Sequence, residues 1–410
     1  MNIKIKEYIL PYLPKATETG FKHKTVGHNN YAEYDVTQMT LMDMSFFSLG
    51  FVAKFMVQNK ESFEKLVLRN LYVEAAGLEL TDVLIKRENK IDLKVIHIEN
   101  VNLNNHGIKH LIKHCRSMKK LEELALINIK GLDKCMDFIE KSFAHHKKLQ
   151  ILNVSGNNLP DFESIVEVMR HNRSLRLINI RGSKFSVEDL TPIWLGLRDN
   201  ISVCELEYQK ENVVFAFDIL QCIEIELILN QEICATIFPR VNQSLEHKPT
   251  ILELNDTHIQ NIQSVLKYVK HNHHLREIDL SFTDLKSKDV ARMVETIASR
   301  EIHHINTLNL SRNITINDGV ASMLRGLFTN NSAIKHLYLD DTSITHKGLA
   351  DLIDSTTENL KLLTLSVKNS NIKISSLDQP EAQSIIQSMK HNCSLTTINL
   401  QHNIKIDEEF

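Results

Sequence analysis

Leu149-Gln150-Ile151-Leu152-Asn153-Val154-Ser155-Gly156-Asn157-Asn158-Leu159 sets apolar residues at the first, fourth, sixth and eleventh positions and asparagine at the ninth. The same spacing returns as Leu275, Ile278, Leu280, Thr283 and Leu285, and again as Leu395, Ile398, Leu400 and Asn403. Side chains alternate across a strand, so the fourth and sixth positions face one side and the fifth the other. A polar ninth residue suits a turn, because its side chain can bond backbone groups left open there. The copies recur about every 28 residues, a period that signals stacked small units rather than one large core.

Each copy predicts one short strand and one return helix. Strands are expected to start near Tyr31, Phe63, Leu93, Leu121, Leu149, Leu175, Ile201, Pro249, Leu275, Ile305, Ile334, Leu362 and Leu395. A degenerate copy near Glu224, with Leu227 and Leu229 as core residues, brings the count to about 14. Helix starts are marked by Asn105-His106-Gly107-Ile108, Asn317-Asp318-Gly319-Val320 and His346-Lys347-Gly348-Leu349, and Ser186 to Asp189 has capping-box spacing. Helix ends are marked by His171-Asn172, His271-Asn272, Asn330-Asn331 and His391-Asn392, where asparagine suits a left-handed C-terminus.

Over residues 31–407 this pattern resembles the ribonuclease-inhibitor type of leucine-rich repeat. The resemblance implies an α/β fold: a right-handed horseshoe solenoid with parallel strands on the concave face and helices on the convex face. Residues 1–30 are expected to cap the first unit through Ile9, Leu10, Tyr12 and Leu13, and residues 31–410 to form the solenoid. Residues 201–248 fit poorly. Cys204 is expected at a strand core position, and the apolar run Ile219–Asn230 reads equally as a strand or a helix. The last unit reaches Phe410 without a helix, so the acidic tail is expected to shield that edge.

Composition narrows the function. The 410 residues carry a net charge of −3, which gives no overall pull toward nucleic acid or anionic lipid. No apolar stretch approaches the length of a membrane span, and the Met1 segment is too interrupted for a signal peptide, so no membrane insertion is expected. Six scattered cysteines without a C-x-x-C point to reduced thiols and a cytoplasmic setting.

Chemical motifs are sparse. Histidine pairs at His145-His146, His273-His274 and His303-His304 all precede strands. They read as a metal ladder or as polar residues at helix C-termini. With no H-E-x-x-H and no cysteine or carboxylate at zinc spacing beside them, the second reading is favoured. The 12 glycines form no phosphate loop, and no G-x-S-x-G elbow occurs. Cys115 and Cys393 are expected in loops and exposed, and Trp194 in a helix. No catalytic residue, metal or cofactor is expected.

The expected concave face is uneven. Its early units offer Lys65, Arg69, Lys94, Arg176 and Arg181, and its later ones acids, among them Glu226. The candidate partner-binding set is Glu205, Glu207, Tyr208, Glu253, Asp256, Asp279, Phe282, Arg312, Tyr338, Asp340 and Asp341. Aromatic anchors among charges are the makings of a protein-binding patch, and this one suits a partner with a basic surface. Arg276 and Arg312 are expected to pair with acids across strands. The strong Asn, Lys and Ile usage and eroded repeats resemble secreted leucine-rich-repeat effectors of intracellular bacterial pathogens. That resemblance implies a non-catalytic monomer that binds a host protein in the host cytosol. Asp407-Glu408-Glu409-Phe410 is similar to the acidic C-terminal signals read by type IV secretion systems. The alternatives are an enzyme regulator, either a GTPase-activating protein using Arg181 or Arg312 or a nuclease inhibitor, and a hydrolase with a loop His or Cys.

Overall fold

The computed structural model describes residues 31–34, 38–42, 45–46, 62–73, 91–159, 162–183, 185–209, 213, 216–241, 249–299, 302–329, 333–357, 361–403 and 405–406. The expected capping segment 1–30 and the tail 407–410 lie outside them. The chain divides into two compact units, Met1–Ile228 and Leu229–Phe410.

The first unit holds an eight-stranded sheet. Its first two strands, Tyr31–Tyr34 and Gln38–Met42, form an antiparallel pair rather than the start of the repeat. From Gln38–Met42 onward every pairing is parallel and the strands of this sheet follow in chain order through to Glu205–Glu207, while the short strands Ser45–Phe46 and Tyr72–Val73 pair with each other in a separate two-stranded sheet. The second unit holds a six-stranded parallel sheet from Ile251–Glu253 to Thr397–Asn399, built the same way. The fourth and sixth positions of each copy fill the core, as Leu152 and Val154 do in the first unit and Leu308 and Leu310 in the second. Return helices bring the other half of that core. Glu163–His171 buries Ile165, Val166, Val168 and Met169 and leaves Glu163 and His171 outside. Each such Leu or Ile stabilises the fold by roughly 1.5–3 kcal/mol through burial.

The ninth position decides where a strand stops. In Lys65–Arg69, Val95–Glu99 and Glu123–Ile127 it is the buried apolar Leu71, Val101 or Ile129, and the strands run five residues. From Leu149 onward it is polar, and the parallel strands of the main sheets run three. Asn157 shows why. Its Nδ2 donates to the Leu126 and Val154 carbonyls at 2.7 and 2.6 Å, and its Oδ1 accepts from the Ile129 amide at 2.7 Å. Asn313 does the same for Leu280, Leu310 and Thr283 in the second unit, and Asn403 for Val367, Leu400 and Ser370. The side chain thus takes the carbonyls that another strand residue would have used.

A second row of side chains lies before the strands. In the first unit, His146 Nε2 bonds the Met118 carbonyl at 2.9 Å. Asn172 Nδ2 donates to the His146 carbonyl at 3.0 Å, and Asn200 Nδ2 to the Asn172 carbonyl at 2.8 Å. Each acceptor atom in turn holds its own strand entry: Leu149 N to His146 Nδ1, Leu175 N to Asn172 Oδ1, and Val203 N to Asn200 Oδ1. This corrects the expectation of left-handed asparagines at helix ends. Asn172 and Asn392 have φ of −77° and −76°, and their carboxamides do the work. It also makes His146 a buried structural group rather than loop filler.

Two other expectations change. Backbone pairing aligns Leu206 with Ile178, so the core positions of that copy are Val203, Leu206 and Tyr208, not Ile201, Cys204 and Leu206. The run expected as a degenerate strand near Glu224 is a helix, Phe217–Glu232, which continues into a wider π turn at Ile233–Ile237. Glu226 therefore stands on a helix and not on a sheet face.

Replacing Asn313 by Ala removes the partner of the Leu310 carbonyl and of the Thr283 amide, while the Leu280 carbonyl keeps the Thr283 hydroxyl at 2.7 Å, and urea unfolding is expected to show a loss of about 2–4 kcal/mol. The exposed control Asn255→Ala should stay within about 0.5 kcal/mol. Burial pushes the His146 imidazole below its ordinary value of 6.5, and its bond to the Met118 carbonyl opposes this. The unfolded chain then binds more protons, so stability falls as pH drops below 6.5. His146→Asn should keep both ladder bonds and give a shallower fall of melting temperature between about pH 7 and 5.

Candidate functional site

The sheet faces turned away from the core carry the third, fifth and seventh positions of each copy. The residue after them, at the eighth position, must donate its amide to the next copy while the chain turns. Phe282 N donates to the Ser311 carbonyl at 3.0 Å, and Arg312 N to the Asp340 carbonyl at 2.7 Å. That geometry forces a positive φ. In the first unit the position is filled by Asn70, Asn100, Asn128, Gly156 and Gly182, residue types that tolerate it. A Cβ on Gly182 would come within 3.1 Å of Gly156 Cα, so glycine there also allows close stacking. In the second unit the position holds Asp256, Phe282, Arg312, Asp341, Asn369 and His402, with φ of 55° at Phe282 and 61° at Arg312. A bulky residue in this region costs roughly 1–2 kcal/mol.

Phe282 and Arg312 sit in the turns that follow consecutive strands, Glu277–Asp279 and Thr307–Asn309. The guanidinium lies 4.8 Å from the phenyl centroid, and Phe282 is 47% exposed. At the same sheet face, a recess of 390 Å³ is lined by residues that include Glu253, Glu277, Asp279, Thr307, Asn309 and Tyr338. Asp279 Oδ1 accepts from the Ser281 amide at 2.9 Å. Glu253 and Glu277 have no side-chain hydrogen bond or ion pair among the described residues.

The other expected site residues are distributed differently. Asp340 accepts from the Ser366 hydroxyl at 2.6 Å and the Lys368 amide at 2.8 Å, and its other oxygen lies 3.7 Å from Lys368 Nζ. Asp341 accepts from Asn369 Nδ2. Both acids therefore hold turns. Asp256 is exposed. Glu205, Glu207 and Tyr208 belong to the end strand of the first unit. Glu205 is exposed, while Glu207 accepts from Asn179 Nδ2 and lies 3.9 Å from Arg181 Nε. Tyr208 is in the core, its ring 5.2 Å from that of Phe185, which is itself 5.2 Å from Phe162. The same alternation that exposes Glu205 and Glu207 buries Tyr208. Glu277 and Asn309 join the face as third- and fifth-position residues, and strand alternation is the sequence signal that places them there.

Among the described residues, Arg276 and Arg312 do not form the expected cross-strand ion pairs. Arg276 donates to the His273 and Leu275 carbonyls at 2.8 and 2.7 Å. The early cations are engaged: Arg69 with Glu99 at 2.9 Å, Lys94 with Glu64 at 2.8 Å, and Arg176 with the Ser202 carbonyl at 3.1 Å. Among the described residues no group of three His, Cys, Asp or Glu side chains is placed to hold a metal ion. No helix among them is long and apolar enough to cross a membrane. Cys115 corrects an expectation, since it ends the helix Asn105–Cys115, fully buried, and burial pushes its thiol up to about 12. Cys393 is exposed as expected.

The strand–turn–helix repeat and its buried ninth-position amides define an α/β protein of leucine-rich-repeat type. No family model and no curated protein matches the chain. Among solved structures, the chain is similar to the tropomodulin C-terminal domain of Caenorhabditis elegans, with 19% identity and a TM-score of 0.33 over 40% of this chain and 96% of that one. An internalin (InlF) of Listeria monocytogenes matches with 13% identity and a TM-score of 0.28 over 88% of this chain and 86% of that one. A TLR13–ssRNA13 complex matches with 15% identity and a TM-score of 0.25 over 85% and 40%.

Native-state thiol labelling checks the cysteine placement. Cys393 should react with a charged aromatic disulfide reagent at near the rate of a free thiol, and Cys115 at least about 100-fold more slowly.

Proposed function

We propose that this chain is a non-catalytic protein-binding repeat protein, and that the second unit's sheet face engages a basic protein surface. The observation that carries the reading is the Phe282–Arg312 pair. Two bulky residues occupy strained backbone positions that the other copies give to Asn, Gly, Asp or His, and they hold an aromatic–guanidinium stack at the surface. Strain kept at an exposed site points to use of that site. On the sheet whose turns carry the pair, Glu253, Glu277 and Asp279 supply negative charge and Tyr338 an aromatic surface, a combination that anchors protein partners. Attraction by those acids would act over a Debye length of roughly 8 Å and weaken with salt.

The context that fits best is a bacterial effector acting on a host protein. It is supported by the Asn-, Lys- and Ile-rich composition. The acids to test are Glu253 and Glu277 rather than Asp340 and Asp341, whose bonds hold turns.

Affinity capture from eukaryotic lysate with the wild type, Glu253→Lys/Glu277→Lys and Phe282→Asn/Arg312→Asn tests the reading. Asparagine serves this backbone position elsewhere in the chain, so the second variant should melt at the same temperature or higher, with up to about 1 kcal/mol gained per site. A partner held by the wild type and weakened at least about tenfold by both variants is the expected result. A partner held equally by all three baits would overturn it.

A further inference from the structure

A second pocket lies in the same unit, at the N-terminal ends of the strands. It encloses 580 Å³ and is lined by His273, Arg276, His303, His304, Asn306, Ala333 and Lys335. Every ionisable side chain in that lining is cationic or can become so.

The fold builds this concentration of charge. Arg276, Asn306 and Lys335 hold the second position of three consecutive copies, each just before its strand. Asn306 N donates to the Arg276 carbonyl at 2.8 Å and Lys335 N to the Asn306 carbonyl at 2.7 Å. At the spacing of neighbouring strands, the outer two backbones stand about 10 Å apart, with a carboxamide between them. Neither Arg276 nor Lys335 has an ion pair among the described residues. The position before the strand where Asn172 and Asn200 sit in the first unit is here the buried Ile302. No carboxamide reaches back from it, and the histidines fill the rim. The His273 and His304 rings are 5.5 Å apart, edge to face. Among the described residues, neither buried ring nitrogen of His304 has a hydrogen-bond partner.

We propose that this rim pocket is an oxyanion site for a phosphate monoester, with Arg276 and Lys335 supplying fixed charge, Asn306 a neutral donor, and His273, His303 and His304 further ring donors. Guanidinium and ammonium groups flanking an amide donor suit a tetrahedral dianion, since charge-assisted bonds to phosphate oxygens are the strong ones. Within the pocket His304 is held below its ordinary value of 6.5. Burial is the main cause, followed by repulsion from His273, Arg276 and His303, while the nearby Val269 carbonyl opposes it. An anion would reverse the repulsive part, so binding and proton uptake are coupled and each strengthens the other.

Sulfate separates the histidines' protonation from the ligand's, because it remains a dianion throughout the pH range. Titrating the full chain with sulfate, followed through the histidine ring resonances, should show saturable shifts with a Kd below about 10 mM at pH 5.5 and at least tenfold weaker binding at pH 8. Lys335→Gln and Arg276→Gln should each weaken sulfate at least about threefold, and His304→Asn should flatten the pH dependence. The Lys335 side chain has no hydrogen bond among the described residues, so its variant keeps the test valid if Arg276→Gln perturbs the loop. Phenyl phosphate and a phosphoserine peptide with basic flanks then name the source. Tighter peptide binding identifies a phosphorylated protein, and equal binding a small phosphorylated molecule. The absence of saturable sulfate shifts, or shifts unaffected by Lys335→Gln, would overturn the site. Neither result bears on the Phe282–Arg312 face, which sulfate does not probe.

Discussion

From the Leu149 copy onward, the repeats depend on the satisfaction of buried backbone groups by side chains of the adjoining repeat. A three-residue strand forms few ladder bonds of its own, and its remaining carbonyls and amides point at a neighbour across a turn. Leaving one buried and unpaired costs about 1–3 kcal/mol. Asn157, Asn313 and Asn403 remove that cost on one side of the strand, and His146, Asn172 and Asn200 on the other. The apolar core supplies most of the cohesion, and these amides set where each strand begins and ends. They therefore decide which side chains reach the open sheet face.

That constraint explains what the sequence revealed and what it hid. The spacing of Leu149, Leu152, Val154 and Asn157 is enough to place a strand, a turn and a helix, because apolar periodicity and turn chemistry are local properties. The register at Ile201 is not local, because Ile201, Val203 and Leu206 are all apolar and only pairing with Leu177–Asn179 selects Val203. A register that starts at Ile201 puts Cys204 in the core and Tyr208 on the surface, a two-residue slip of the core assignment. The run from Phe217 to Glu232 spreads its apolar residues around all sides instead of on one face, so periodicity does not separate strand from helix there.

The candidate face was legible in part. Glu253, Asp279 and Tyr338 follow from strand alternation. Sequence could not show that the charges of Asp340 and Asp341 are engaged in turns, since their partners Ser366, Lys368 and Asn369 lie a full repeat away. Nor could it show that Phe282 and Arg312 adopt a left-handed backbone, although the asparagines and glycines at the matching place in the first unit are a hint. Asn/Gly gives way to Asp, Phe and Arg there, a departure from local preference of the kind found where function competes with folding.

The side-chain ladder is tested most directly by hydrogen exchange at the backbone amides that donate to ladder side chains instead of to a neighbouring strand: Ile129, Leu175 and Val203 in the first unit, and Thr283 and Ser370 in the second. If the ladder sets the strand boundaries, these amides exchange as slowly as the strand-core amides of their own unit. Exchange at the rate of exposed turns would contradict it, and would leave apolar packing alone to define the repeat.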